Sequence, residues 1–441
     1  MRLIFIIAII CSGVQISSAQ FQSDFHTQYL IYSDNPAPDR FYRPNAKRGS
    51  KLTFVLPSLS ATLVSPHLTY GDIYKAETKT LDLVAASQSE KDFALEVNAR
   101  ASYGGLLYKI KNFRFSLFHE ALLDSKLNVP NQIFELATEG NNKFRDSSVD
   151  VNPLVFFQST HKWALGIDYY FEKLMVGAQF NLYTGNAYLN THNSSVTINF
   201  EENFFEFGFD KSIDVKSSGA IDYQDINDVG VILGDNAISA TGSFSNLGFG
   251  LSAQMRYQVS ESLKIYGRIE DLGFIKWSLN TQTLTDDSYS QFGGLDIRES
   301  YVTGEPYSVT DTLYSKIDID KQTDSFTSHL LYSFFVGAGY KLNDYVSIGG
   351  IVRTRDNGTA QRLFVEPHVT LSPLSDFNLS IGNVFNSNTL FNPKVVLNAE
   401  VRNRFGVNLV LVNPWKFGRY YDAEFLHASL SLYVNLFGVR R

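Results

Sequence analysis

Eight histidines carry the most versatile chemistry in the sequence: His26, His67, His119, His161, His192, His329, His368 and His427. A hydrolytic zinc centre of the HExxH kind needs two imidazoles one helical turn apart, so that both rings reach one ion from one face. No pair here has that spacing, and His119-Glu120 lacks the second histidine. A Ser–His or Asp–His hydrolase assembles its members in space, but no nucleophile motif accompanies these histidines. The glycine pairs in Gly248-Phe249-Gly250 and Gly337-Ala338-Gly339 lie inside alternating segments, whereas a phosphate loop needs a strand-to-helix junction. We therefore expect no catalytic, metal or cofactor site, and no enzyme.

The polar residues that do recur in a pattern are charged. They fall on every second position of segments whose other positions are apolar or aromatic, which is the period of a β-strand. Between Ser328 and Leu342, Leu330, Tyr332, Phe334, Val336, Ala338 and Tyr340 share one face, while His329, Ser333, Gly337, Gly339 and Lys341 share the other. Extended along the chain, this alternation places Glu96, Arg100, Arg114, Asp168, Arg256, Lys264, Arg268, Arg353, Arg355, Arg362, Glu366 and Arg402 on the polar face. Arginine outnumbers acid in this set although the whole chain carries a net charge of −7. Three readings follow: a ladder of mutual ion pairs, a basic path for an anionic solute, as charged rings provide in selective channels, or a seat for a peptide or lipid.

Composition says what kind of body holds such strands. Aromatic residues make up 14%, with 35 Phe and 24 Tyr, and charged residues only 19%. Mean hydropathy is nevertheless −0.11, and after the first residues no stretch approaches the ~20 apolar residues of a spanning helix. A transmembrane barrel reconciles these values, because only alternate residues face lipid. The mild charge leaves no clustered basic surface for nucleic acid. Met1-Arg2, the apolar run Leu3–Ile10 and the small residues Ser17-Ser18-Ala19 read as a signal peptide cleaved before Gln20. Its removal takes away Cys11, the single cysteine, which fits bacterial export better than a disulfide-bearing secreted protein.

We expect an all-β, antiparallel transmembrane barrel over residues 51–441, preceded by the signal peptide 1–19 and an irregular leader 20–50. Asn35-Pro36-Ala37-Pro38 breaks any strand in that leader, which could plug the lumen. Strand starts fall near 51, 92, 112, 162, 174, 247, 263, 327, 345, 360, 376, 395, 405 and 424, fourteen in all. Sixteen follow if the alternating segment 194–209 joins the wall with a partner from 147–157 or 226–235. Short turns at 171–174, 259–263 and 342–345 face the periplasm. Long polar segments at 66–91, 128–161, 190–246 and 278–326 become outer loops. This arrangement places Trp163, Trp277 and Trp415 at the outer rim, as an aromatic girdle requires.

Ser245-Asn246-Leu247-Gly248-Phe249-Gly250, followed by Asp271-Leu272-Gly273-Phe274-Ile275-Lys276-Trp277, resembles the hallmark of a family of Bacteroidota outer-membrane barrels without established activity. Leu182-Tyr183-Thr184-Gly185-Asn186-Ala187 and Asn35-Pro36-Ala37 resemble other parts of that pattern. The chain departs from the aromatic terminus common in such barrels, because Phe437 is followed by Gly438-Val439-Arg440-Arg441. The family is distantly similar to FadL- and PorV-type barrels. The resemblance implies either uptake of a small amphipathic or anionic solute, or a membrane component of a secretion or assembly complex. A closed structural or adhesion barrel is the alternative. Partners would be outer-membrane lipid and envelope proteins met through the long loops.

Overall fold

A computed structural model describes residues 52–65, 74–75, 80–89, 91–202, 206–225, 228–231, 243–293, 319–356, 358, 361–374, 377–386, 391–401, 405–422 and 424–436. The expected signal peptide, cleavage site and leader lie outside the described residues, as does Arg402.

Fourteen antiparallel strands form a closed wall. They are β1 (Leu52–Val55 and Ser58–Val64), β2 (Phe93–Ile110), β3 (Phe113–Val129), β4 (Leu154–Tyr170), β5 (Leu174–Asn190), β6 (Ser243–Gln258) and β7 (Leu263–Trp277). The wall continues with β8 (Phe326–His329 and Ser333–Lys341), β9 (Val346–Asp356), β10 (Gln361–Leu374), β11 (Phe377–Asn383 and Phe385–Asn386), β12 (Pro393–Val401), β13 (Phe405–Val412) and β14 (Phe425–Leu436). Each pairs with its sequence neighbour, and β1 returns to β14 through Leu52↔Leu436 and Leu59↔Leu430. Closure leaves no unpaired edge in the hydrocarbon, where an unsatisfied backbone group would cost several kcal/mol. The even count puts the start of β1 and the end of β14 on the rim that carries the short turns.

Those turns are specified locally. Ser260 Oγ accepts from the backbone N–H groups of Ser262 and Leu263, at 3.3 and 3.0 Å, in the β6–β7 turn. Asn343 Oδ1 accepts from Tyr345 and Val346 in the β8–β9 turn, a side chain standing in for a backbone turn bond. Pro57, with no N–H to give the ladder, coincides with the break in β1.

Alternation appears as burial. Phe113, Phe115 and Leu117 of β3 are exposed, while Arg114, Ser116 and Phe118 between them are buried. Apolar outward and mixed inward is the facing of a membrane-spanning barrel. Several strands are longer than the sequence suggested. β4 starts at Leu154 rather than near 162, and β6 at Ser243 rather than 247. Trp163 therefore stands mid-strand, on the outward face and 41% exposed, instead of at the strand start.

Beyond the outer rim the wall sheet extends through Ser147–Asp150, Ser195–Phe200, Glu206–Ser218, Thr281–Gly293 and Asp320–Gln322, joined to β5 where Lys216–Ser218 pair with Tyr188–Asn190. The segment 194–209 does meet a partner from 147–157, yet above the wall rather than in it, so the wall count stays at fourteen. Helices α1 (Leu83–Ser87) and α2 (Asn131–Glu139) cover the outer ends of β2 and β3, over Ala86, Phe93, Leu127 and Val129.

Two expectations about facing are overturned at one place. Trp277 is not on the rim facing lipid; it is fully buried inside the wall, its Nε1 donating to Ser328 Oγ at 2.8 Å. Leu330, read on the face of Phe334, is likewise inside, 2% exposed against 45% for Phe334. The cause is a β-bulge. Leu251 pairs with Leu272 and Ala253 with Ile269, so Glu270 and Asp271 together oppose Ser252. One inserted residue reverses facing beyond it. Asp271 adopts φ 60°, and β8 breaks between His329 and Ser333 at the same level, where the Leu330 N–H donates to the Gly273 carbonyl at 3.1 Å.

Candidate lumenal site

The lumen is filled in layers, each set by the inward face of several strands. Nearest the short turns, Tyr170 of β4, Met175 of β5, Tyr266 of β7, Phe335 of β8, Ile351 of β9, Val396 of β12 and Val410 of β13 form one apolar cluster. Those strands come from opposite sides of the wall, so the cluster is a floor across the bore.

A belt of buried charge runs along the inner face of β3 to β8. Arg114 clasps Asp168 through Nη2 at 2.5 Å and Nε at 2.7 Å, with side-chain exposures of 7% and 4%. Asp168 also accepts from Gln254 Nε2 at 2.5 Å. Arg268 donates to Gln254 at 3.3 Å and pairs with Glu270 at 2.6 Å, and Glu270 accepts from Ser333 Oγ at 3.0 Å. Asp271 binds Lys162 Nζ at 2.8 Å and Asn181 Nδ2 at 2.7 Å, while its own N–H donates to Ser252 Oγ at 3.0 Å. The bulge thus turns two consecutive carboxylates inward, each onto a different cation.

On the other wall, Glu366 of β10 takes Arg353 at 3.2 Å and Lys394 of β12 at 2.6 Å, and the Arg353 guanidinium lies 5.3 Å from the centre of the Phe364 ring. Arg355 of β9 reaches Asp124 of β3 at 2.7 Å. These strands do not pair, so this contact bridges the lumen. Above the belt, Trp277, Tyr183, Tyr188, Phe156, Leu122, Ile275 and Leu330 pack into an aromatic layer, with Tyr188 and Trp277 centred 5.1 Å apart.

Of the sequence-derived lumen residues, Glu96, Arg114, Asp168, Arg256, Arg268 and Glu366 are buried on inner positions. Arg100, Lys264, Arg353 and Arg355 are half-buried there. Arg362 lies in β10 opposite Arg355; its side chain is outside the described residues. The belt joins Arg114, Asp168 and Arg268, and the other wall joins Arg353 and Glu366. Sequence reasoning missed Asp124, Lys162, Glu270, Asp271 and Lys394. Lys162 and Lys394 stood at or beyond the expected strand ends. Glu270 and Asp271 are adjacent, and strict alternation allows only one of such a pair to face inward. Asp271 at the head of the Asp271–Trp277 motif was the available signal. Trp415 lies in the 3₁₀ turn Pro414–Asp422 on the outer rim, 59% exposed.

The arrangement can exclude ions, because its charges are paired across a lumen floored with hydrocarbon. No group of three or more metal-ligating side chains occurs among the described residues.

A family model described as "Family of unknown function (DUF5723)" matches residues 44–409. No curated protein matches the sequence. Among solved structures, the chain is similar to the Pseudomonas putida toluene transporter TodX, at 8% identity and TM-score 0.41, covering 96% of this chain and 95% of that one. It is similar to the Ralstonia pickettii toluene transporter TbuX at 9% identity and TM-score 0.43, covering 96% of each chain. A Pseudomonas aeruginosa FadL homologue matches at 9% identity and TM-score 0.43, covering 91% of this chain and 93% of that one.

Proposed function

The chain belongs to the DUF5723 family, whose description names no activity, so its role is read from the lumen: we infer that it is an outer-membrane barrel, closed to ions at rest, whose interior takes up a small amphipathic solute. The observation that carries this reading is the Arg355–Asp124 bridge at 2.7 Å between walls that do not pair, above an apolar floor and level with an aromatic layer. A solute with an apolar body and one polar group suits such a lining, because it can pack on the rings and exchange hydrogen bonds with the belt. An inorganic ion would have to break buried pairs and cross the floor. In this reading the leader 20–50 completes the closure, and Trp163 and Trp415 belong to the outer aromatic girdle. Residues 1–19 act as the export signal.

Planar-bilayer recording of the full-length protein tests the closure. We expect no steady current, and current on deletion of residues 20–50 with Arg355→Met. Large anion-selective channels in the unaltered protein would refute a closed lumen. Trp277 reports on solute: saturable quenching of its fluorescence by a small phenol such as p-cresol is expected in a Trp163→Phe/Trp415→Phe background. A second reading, a scaffold for an envelope partner, is favoured by the five-stranded extension of the sheet above the rim. Silence in both assays, with a protein co-purifying stoichiometrically, would put that reading first.

A further inference from the structure

The exterior of the wall opens between β2 and β4. Two successive outward rungs, Leu106–Leu117–Leu165 and Tyr108–Phe115–Ile167, run across these three strands. Their side chains do not close on each other and line a groove of about 330 Å³. Tyr108, Phe115, Leu117, Leu165 and Ile167 are all exposed, so the groove is reached directly from outside the barrel. The rungs stand three to six residues from the short turns at 111–112 and 171–173. At about 2.5 Å of height per tilted residue that is roughly 8–15 Å, mostly within the periplasmic half of a ~25 Å apolar band.

Below the groove the chemistry changes in two steps. Phe113, Tyr169 and Phe171 form an edge-to-face file with ring centres 4.8 and 4.6 Å apart, an aromatic belt of the kind found where hydrocarbon meets headgroups. The turns beneath carry exposed Lys111 and Lys173, about two strand spacings, or ~10 Å, apart. Glu172 is the only carboxylate in those two turns, so their net charge is positive. The β6–β7 turn instead carries Glu261, and in the β8–β9 turn Asp344 is neutralised by Lys341 at 2.6 Å. With a net charge of −7 on the whole chain, an anion is drawn to this stretch of rim by these two turns and not by the protein at large. The leaflet of an outer membrane that meets the short-turn rim is phospholipid, which supplies both an acyl chain for the groove and a phosphate for the lysines.

We propose that the β2–β4 face is a defined site for an anionic phospholipid of the periplasmic leaflet, with one acyl chain in the groove and its phosphate between Lys111 and Lys173. The proposal rests on the membrane-barrel reading above. In a Trp163→Phe/Trp415→Phe background, Tyr169→Trp puts an indole one outward position below Ile167, and Trp277, buried in the lumen, adds a constant signal. This protein is reconstituted into phosphatidylcholine vesicles doped with acyl-brominated phosphatidylglycerol or, separately, acyl-brominated phosphatidylethanolamine. Bromine quenches an adjacent indole, so a site shows as half-maximal quenching at a lower mole fraction than random contact requires. We expect that mole fraction to be about fivefold lower for the glycerol lipid. Lys111→Gln/Lys173→Gln should remove the preference and leave the barrel heat-modifiable, while Leu165→Phe, which fills the groove, should weaken quenching by both lipids. Quenching that tracks mole fraction alike for both lipids, or a preference that survives the double lysine substitution, overturns the site. Failure to resist alkaline extraction from the vesicles overturns the membrane reading instead, so the two failures are separable.

Discussion

Removing one member of the Arg114–Asp168 pair measures how dry the lumen is. In Arg114→Met the side-chain volume is nearly kept, but among the described residues Asp168 retains Gln254 Nε2 at 2.5 Å as its side-chain partner, in a position where its side chain is 4% exposed. Stranding one charge of a buried pair costs about 3–5 kcal/mol. Replacing both by apolar residues, Arg114→Met with Asp168→Leu, removes the desolvation penalty along with the attraction and is often neutral or stabilising. The expected pattern is therefore non-additive: a single substitution far worse than the double, with a coupling of several kcal/mol. Urea titration of the barrel in lipid vesicles, extrapolated to zero denaturant and followed by Trp277 fluorescence, supplies the free energies. If Arg114→Met costs under about 1 kcal/mol, the value of an exposed pair, water reaches Asp168 and the closed lumen is refuted.

Other consequences are as specific. Phe334→Arg, aimed into lipid, should cost about 2–4 kcal/mol if it lies near the midplane, whereas Ser333→Arg faces Glu270 in the lumen and should be better tolerated; the reverse order in a refolding titration would put the β8 register off by one. Trp277→Ala should cost about 3–5 kcal/mol as a large buried ring, and Trp277→Phe about 1 kcal/mol for the lost Ser328 bond, while a negligible effect of Trp277→Ala would return this residue to the lipid face. Gly185→Leu should be as damaging as Trp277→Ala, since even a Cβ on Gly185 would lie 2.3 Å from the Trp277 ring; a stable, heat-modifiable Gly185→Leu barrel would refute that packing. Asp271→Ala strands Lys162, buried at 3% side-chain exposure, and should destabilise more than Asp344→Ala in the exposed β8–β9 turn, measured by the same urea titration.

Much of the architecture was legible from local order alone. Period-two alternation and turn chemistry act between residues one to five apart, so Asn343 and Ser260 mark their turns in the sequence, and each of the fourteen wall strands overlaps a segment that alternation marked, although β4 and β6 begin earlier. The inward faces of β3 and β4 followed too, because Arg114 and Asp168 sit in uninterrupted runs. Facing failed where the period was broken. The bulge at Glu270-Asp271 shifts parity by one, and everything beyond it, Trp277 included, turns to the other side. The adjacent charges Glu270 and Asp271 mark a break in alternation, but that the break is an inserted residue is seen only against the partner strand, where Ser252 stands opposite two residues. The pairing of charges was also beyond reach. Asp124 and Arg355 are 231 residues apart and meet only because the sheet closes and brings β3 across from β9. An excess of inward arginine therefore left a basic path open beside an ion-pair ladder. The tertiary structure supplies the partners, carboxylates from the bulge and from distant strands, since in a lumen with little water a charge is stable only beside its opposite.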